Sequence, residues 1–409
     1  MNTRIVISLC VLCGLLVAAP PGFSQGPLTP PGAPGPTMLT LNQVEPRTPI
    51  TNTTAVTISA PGSYYLTANI TVSTGDGIDI NVDGVTLDLN GFTISSTAAT
   101  PNGTAILLNG GNTDITILNG HILGTSFVNG INSSGAAPVN TRVSGVSVSG
   151  AAYGIMLSTA SSTVVDSCTV QGIGVYGILA SSVSHSSAYL CGGVAIIANT
   201  ADNCYGNCTG SGDGLYVGTA NNCYGVSSSG YGLYATTATG CYGVTASGTA
   251  GLDADNANNC SGYSNGNGDG LDANDASGCS GYSISGSGLA AAAIATGCSG
   301  TSTNSTGLSA NNANNCYGQS ASGRGLYALQ TAMGCSGQSS SESSGSIGLA
   351  ANNAINCYGL CNGSGAGLAA DIANSCYGQS QFGVGLQANI ANSCDAFPGY
   401  SVSHPYNMP

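Results

Sequence analysis

Apolar and polar residues alternate in short runs between Thr51 and Ile94. Ala55-Val56-Thr57-Ile58-Ser59, Ser63-Tyr64-Tyr65-Leu66 and Val85-Thr86-Leu87-Asp88-Leu89 each put one side of an extended chain inside and the other in water. No segment sustains the i, i+3, i+4 apolar spacing of a helix, and glycine occurs 63 times, which excludes a helical solenoid. The pattern predicts strands and turns throughout.

A repeat then takes over. Gly or Ala followed by Ile or Leu recurs at Ile78, Ile106, Ile131, Ile155, Ile178, Ile196, Leu215, Leu233, Leu252, Leu271, Leu289, Leu308, Leu326, Leu349, Leu368 and Leu386. The early steps are 23 to 28 residues; from Ile178 they are 18 or 19, with one of 23 between Leu326 and Leu349. A fixed period near 20 marks a solenoid, whose repeats bury their core against neighbours, so a chain of 409 residues needs no second domain.

Spacing within one repeat gives its cross-section. From Leu252, small apolar residues follow at Ala254, Ala257 and Cys260. A step of two keeps side chains on one face of a strand, and a step of three requires a corner. The residue before the cysteine is Asn, Gly or Ser in eleven successive repeats: Asn203, Asn222, Gly240, Asn259, Gly278, Gly297, Asn315, Gly334, Asn356, Ser375 and Ser393. Asn and Gly best tolerate the left-handed backbone that a sharp corner needs. Length varies mainly in the Ser/Gly-rich turn after the cysteine, including the longer Ser339 to Ser346. The expected fold is all-β, a right-handed parallel β-helix of about sixteen coils. At about 4.8 Å per coil it is roughly 75 Å long.

Composition narrows the function. Charged residues are 5% of the chain and net charge is −13, with Arg4, Arg47, Arg142 and Arg324 and no lysine. A nucleic-acid binder needs a basic footprint, so that class is set aside. Uronate-rich polysaccharides are repelled unless a cation bridges the two anions. After the N-terminus no apolar stretch reaches the roughly 18 residues of a membrane-spanning helix. Arg4 followed by apolar Ile5 to Ala19 reads as a signal peptide over 1–24, which places the mature chain in a secreted, disulfide-permissive setting. Residues 25–50 are a Pro/Gly-rich lead-in, 51–395 the β-helix and 396–409 a C-terminal tail or cap.

Val82-Asp83-Gly84-Val85-Thr86-Leu87-Asp88-Leu89-Asn90-Gly91-Phe92-Thr93-Ile94, followed by Ile115-Thr116-Ile117-Leu118-Asn119-Gly120, resembles the opening coils of secreted bacterial right-handed parallel β-helix proteins of the pectin-lyase-like superfamily. The lead-in from Pro36 to Pro49 and the ending Tyr406-Asn407-Met408-Pro409 resemble the same group. The resemblance covers Pro36 to about Leu157; beyond that only the architecture matches. It implies right-handed coils, a capped N-terminus and an extracellular setting. It implies little about activity, because that superfamily mixes lyases, hydrolases, epimerases and adhesins.

The acid–base inventory is thin. A lyase needs carboxylates for calcium and a base beside a uronate, and a hydrolase needs paired carboxylates. His121, His185 and His404 sit in no motif beside a carboxylate pair, and Arg142 is either a solvated strand residue or a group facing outward near Asp114. Catalytic residues are therefore not assigned. The densest carboxylates are Asp253, Asp255, Asp269, Asp272 and Asp275. Asp253 and Asp272 fall at the same repeat position, Asp255 over Asn274 and Asn256 over Asp275. Asp253, Asp255, Asp272 and Asp275 form either a weak Ca²⁺ site or a hydrated patch that deters edge pairing.

Cys168, Cys204, Cys223, Cys241, Cys260, Cys279, Cys298, Cys316, Cys335, Cys357, Cys376 and Cys394 share one register, with Ser186 in the single gap. A line of thiols suits neither tetrahedral zinc nor a nucleophile partnered by His, and reads as small buried hydrophobes at the corner. Cys191 and Cys208 fall at nearly the same place in successive turns and are the expected disulfide, with Cys361 free. Tyr205, Tyr224, Tyr242, Tyr317, Tyr358 and Tyr377 each follow a column cysteine, as an outward row for cross-coil stacking or glycan contact. The expected function is a non-catalytic extracellular or cell-surface element, structural, adhesive or glycan-contacting. Its expected partner is an extracellular glycan or surface protein. The alternative is a polysaccharide lyase or glycoside hydrolase with its site on the early coils.

Overall fold

The computed structural model describes residues 45–160, 162–342 and 345–406. The expected signal peptide and most of the lead-in lie outside the described residues. From Arg47 onward the chain forms one compact unit, and its described regular elements are all strands.

Three ladders of parallel strands run along the unit. The first begins with Val56–Ile58, Ile78–Ile80, Thr104–Asn109 and Asn129–Ser134. It continues through every repeat to Leu386–Asn392 and Tyr400–Tyr406. The second starts with Thr48–Ile50, Gly62–Leu66 and Val85–Asp88, and the third with Ile70–Val72 and Thr93–Ser96. This is a parallel β-solenoid of about 18 turns. It has two more rungs than the repeat signal marks. Val56 stands in register with Ile78, and Tyr400 with Leu386, where the signal has Ile or Leu. The last rung falls within the residues read as a tail.

Coil geometry changes near Ile178. Ile178–Ser184 pairs at its start with Tyr153–Met156 and at its end with Thr163–Asp166. From there the first two ladders merge into one bent strand per coil, and each coil shortens to 18 or 19 residues. The corner before the cysteine is left-handed throughout: φ is 52° at Asn203, 51° at Asn259, 52° at Ser375 and 61–63° at Gly240, Gly278, Gly297 and Gly334. A local side-chain oxygen or a missing Cβ is what makes that conformation inexpensive.

The core changes with it. Early coils bury Ile80, Leu87, Leu89, Ile94, Ile117 and Phe127. The coil from Leu252 buries only the side chains of Leu252, Ala254, Ala257, Cys260 and Ser264, beside the backbone of Gly262 and Gly268. That space is closed by backbone. A Cβ on Gly262 would stand 2.0 Å from the Gly270 carbonyl oxygen, and one on Gly270 2.3 Å from the Tyr282 nitrogen. The Tyr-Gly or Ser-Gly pair after each column cysteine from Cys204 to Cys376 is thus the contact at which opposite sheets meet.

Candidate functional site

The third ladder presents its outward residues in two columns. In the first, Tyr205, Tyr224 and Tyr242 stack at ring separations of 5.4 and 5.1 Å, and Tyr358 lies 5.6 Å from Tyr377 with planes 2° apart. Parallel in-register strands enforce this, because each Tyr follows its corner cysteine by one residue. Ser336 interrupts the column once between Tyr317 and Tyr358, and three successive rungs interrupt it between Tyr242 and Tyr317: Ser261, Ser280 and Ser299. Over those rungs the second column carries Tyr263 and Tyr282, stacked at 4.9 Å, and then Thr301. The result is a notch of about 320 Å³. Its floor is serine hydroxyls, with Ser261 and Ser280 oxygens 2.6 Å apart, and Tyr242, Tyr263 and Tyr282 form its walls. Four rung steps separate Tyr242 from Tyr317, roughly 19 Å at ~4.8 Å per step. No charged side chain lines it. The sequence marks the Tyr column and does not mark the notch, because the missing tyrosines read as gaps rather than as a site.

A larger depression, about 440 Å³, lies on the first ladder beside Tyr327, floored by Ala350 and Ala369 and edged by Asp371 and Asn389. Arg324 lies 4.7 Å over the Tyr327 ring. It is lined by one tyrosine where the notch is lined by three, so the notch is the better-built contact.

The acidic residues lie on the first ladder. Asp253 and Asp272 are in register, directly after the stacked pair Tyr216 and Tyr234. Burial, then the Asp253 and Asp269 charges, push Asp272 up to about 6, and burial followed by Asp255 raises Asp253. Asp275 pairs with Asn256 and keeps one buried oxygen without a partner, while Asp255 is exposed. Among the described residues no three His, Cys, Asp or Glu side chains converge as metal ligands.

Arg142 is exposed on the second ladder, in register with Thr116 and Val164. Asp114 accepts a short hydrogen bond from Asn140. The one early carboxylate with a raised pKa is Asp79, shifted by burial and then by Asp76; it has an oxygen without a partner and lies on the first ladder, away from the Arg142 strand. Sequence reading missed Asp79. Arg47 is engaged with Asp88 at 3.1 Å and lies over Tyr65, and His185 lies 3.3 Å from Asp166.

The twelve column cysteines are buried thiols. The Cys223 sulfur lies 3.2 Å from the Asn221 carbonyl oxygen, and its N–H donates to the Cys241 sulfur at 3.4 Å. Ser186 makes the same pattern with oxygen: it accepts from the Cys168 N–H at 3.0 Å and donates to the Ser184 carbonyl at 2.7 Å. Burial pushes Cys168 up to about 11, so the thiol stays protonated and weakly nucleophilic at neutral pH.

A second buried column went unread in the sequence. Ser227, Thr245, Ser283 and Ser302 donate to a carbonyl of the preceding turn at 2.6 to 2.8 Å. Each also accepts an N–H three residues on in its own turn. Cys208 and Cys361 take hydroxyl positions in this column, in register with Ser227 and Ser339, and Cys191 stands beside Cys208.

No protein-family model and no curated protein sequence matches the chain. Among solved structures it is similar to the A-module of a mannuronan C-5 epimerase from Azotobacter vinelandii, at 12% identity over 85% of this chain and 91% of that one. The TM-score is 0.26, and the overlap carries no inference about chemistry. No described helix is long and apolar enough to cross a membrane.

Proposed function

We propose that the chain is a non-catalytic, secreted or cell-surface β-helix that serves as a rigid structural or adhesive element and contacts neutral glycans through the tyrosine-walled notch. The observation that carries this reading is the notch itself. Three tyrosines and a row of hydroxyls are held at fixed spacing by the ladder. Aromatic faces pack on the apolar faces of sugar rings, and hydroxyls exchange hydrogen bonds with their edges. The absence of charge in the lining, in a chain of net charge −13, selects against uronates. The right-handed, pectin-lyase-like affiliation belongs to this proposal and rests on the opening-coil motif. Calcium belongs to it as a weak ligand of the Asp253 and Asp272 pair, near the millimolar end of the range. Heat of Ca²⁺ binding that persists unchanged in Asp253→Asn with Asp272→Asn removes that site.

The test is a glycan-array screen of the full chain, with reducing-end and unsaturated-product release assayed on every hit. The expected result is binding to neutral glycans with no product. Product that disappears in Arg142→Ala overturns the reading in favour of a lyase or hydrolase on the early coils.

A further inference from the structure

The buried hydroxyl column ties down each turn, and cysteine interrupts it. At Cys208 the bond to the preceding turn is slack: its sulfur is 3.9 Å from the Gly192 carbonyl oxygen, against 2.6 Å for Ser227 to Gly212. Cys361 keeps a partner of its own, the Ser346 hydroxyl at 3.4 Å. Cys191 and Cys208 stand opposite one another in the ladder. They are register partners on adjacent rungs, and both are fully buried.

That register requires a distortion. Ser187 pairs with Tyr205 and Ala188 with Gly206, so in step Leu190 would face Cys208. The strand slips by one residue between Ala188 and Cys191, and Cys191 takes that place. The extra residue is absorbed at Leu190, whose φ is 55° and whose side chain is 52% exposed. A leucine in the left-handed region costs energy, and a bulge gives up ladder bonds. The slip places Cys191, rather than Leu190, opposite Cys208.

We propose that Cys191 and Cys208 form a disulfide that staples the first two narrow coils, at the point where coil length falls. Adjacent rungs are ~4.8 Å apart, inside the Cα separation that a disulfide bridges. The structure shows the reduced form. Oxidation needs a small-molecule disulfide such as oxidised glutathione. One cysteine thiolate attacks it and displaces a glutathione thiolate. The second cysteine thiolate then attacks the protein sulfur of the mixed disulfide and displaces the other. One disulfide forms as one is consumed. Two electrons pass to glutathione, and the two cysteine protons end on the released thiols or in buffer. Both sulfurs are buried in the closed coil, so the exchange runs while the turns are still open.

The test equilibrates the unfolded full chain during refolding with excess oxidised glutathione, quenches in acid, denatures and alkylates. Chymotrypsin then cuts after Leu190, Tyr205 and Tyr216, because four arginines and no lysine give trypsin few sites. The expected product is one peptide pair linked from Cys191 to Cys208, with Cys204 and Cys361 alkylated. Cys208→Ser restores the hydroxyl of the column, so it folds, and it leaves Cys191 alkylated. Its melting temperature does not respond to glutathione, while that of the native chain rises by a few degrees on oxidation. Alkylation of both Cys191 and Cys208 in the oxidised native chain, or either sulfur linked to a different cysteine, overturns the proposal.

Discussion

The coils before Ile178 and those after it close the same solenoid by different means. The early coils are wide and filled: Leu87, Ile94, Ile117 and Phe127 occupy the interior. The later coils are narrow, and from Leu233 to Ser339 the interior of each is one Leu, two Ala, a Cys and a hydroxyl. There the sheets approach until glycine backbone meets glycine backbone, as at Gly262 and Gly270. A filled coil gains from apolar area and dispersion. A collapsed coil has little apolar area to bury. It relies on ladder hydrogen bonds and on two buried polar columns that find partners: the corner thiols bonded to carbonyls and the hydroxyls bonded to turns. The difference also governs the surface. Only coils of near-constant length keep outward residues in register long enough to build tyrosine columns and the notch.

One added methyl group separates the narrow coils from the wide ones most strongly. Gly262→Ala drives a Cβ into the Gly270 carbonyl, and is expected to cost more than about 4 kcal/mol or abolish folding. Gly110, in a wide coil, has φ 77° and nothing within 4 Å of a built Cβ, so Gly110→Ala costs only about 1–2 kcal/mol of backbone strain. Denaturant unfolding of the two variants checks this. Similar costs for both would remove the distinction.

Truncation reverses the order. Ile117→Ala in the filled region leaves a cavity and is expected to cost about 2–5 kcal/mol. Ala257→Gly in a collapsed coil loses about 1 kcal/mol. Ser283→Ala strips the bond to the Gly268 carbonyl and leaves the Gly286 N–H without its acceptor, for about 1–3 kcal/mol. Ser283→Thr is close to neutral, because Thr245 already makes the same pair of bonds.

These contrasts also say what the sequence made legible. The rung positions, the corner and the small interior could be read from Leu252, Ala254, Ala257, Asn259 and Cys260, because period and left-handed tolerance are local properties. The merging of two ladders at Ile178 could not, since it depends on where a strand bends against the rung below. Nor could the hydroxyl column, because Ser264 and Ser283 sit in a Ser-rich turn whose inward member composition does not mark. Of the site, the Tyr column was legible and the notch was not; the notch is defined by where tyrosines are missing.

The smallest effect concerns pH. Asp272 has its folded-state pKa raised to about 6, first by burial and then by Asp253. A raised carboxyl contributes stability below its unfolded pKa near 4 and loses it as pH rises through the folded value. Stability should therefore fall between about pH 4 and 6, by roughly 1 kcal/mol once solvent screening of this half-exposed group is allowed for. Asp272→Asn should flatten that window. A native chain whose melting temperature rises steadily from pH 4 to 6, unaltered in the variant, would show the carboxyl is not held protonated.

The narrow coils are expected to hold a rigid tyrosine notch for a neutral glycan. The most direct measurement is calorimetric titration of an array-identified neutral glycan into the native chain and into Tyr263→Thr with Tyr282→Thr. Threonine is the residue that the same column carries at Thr301. The prediction is saturable binding to the native chain, at least a tenfold loss (about 1.4 kcal/mol) in the double variant, unchanged circular dichroism, and no new reducing ends or unsaturated product. Equal affinity in the two proteins, or glycan cleavage by the native chain, would contradict it.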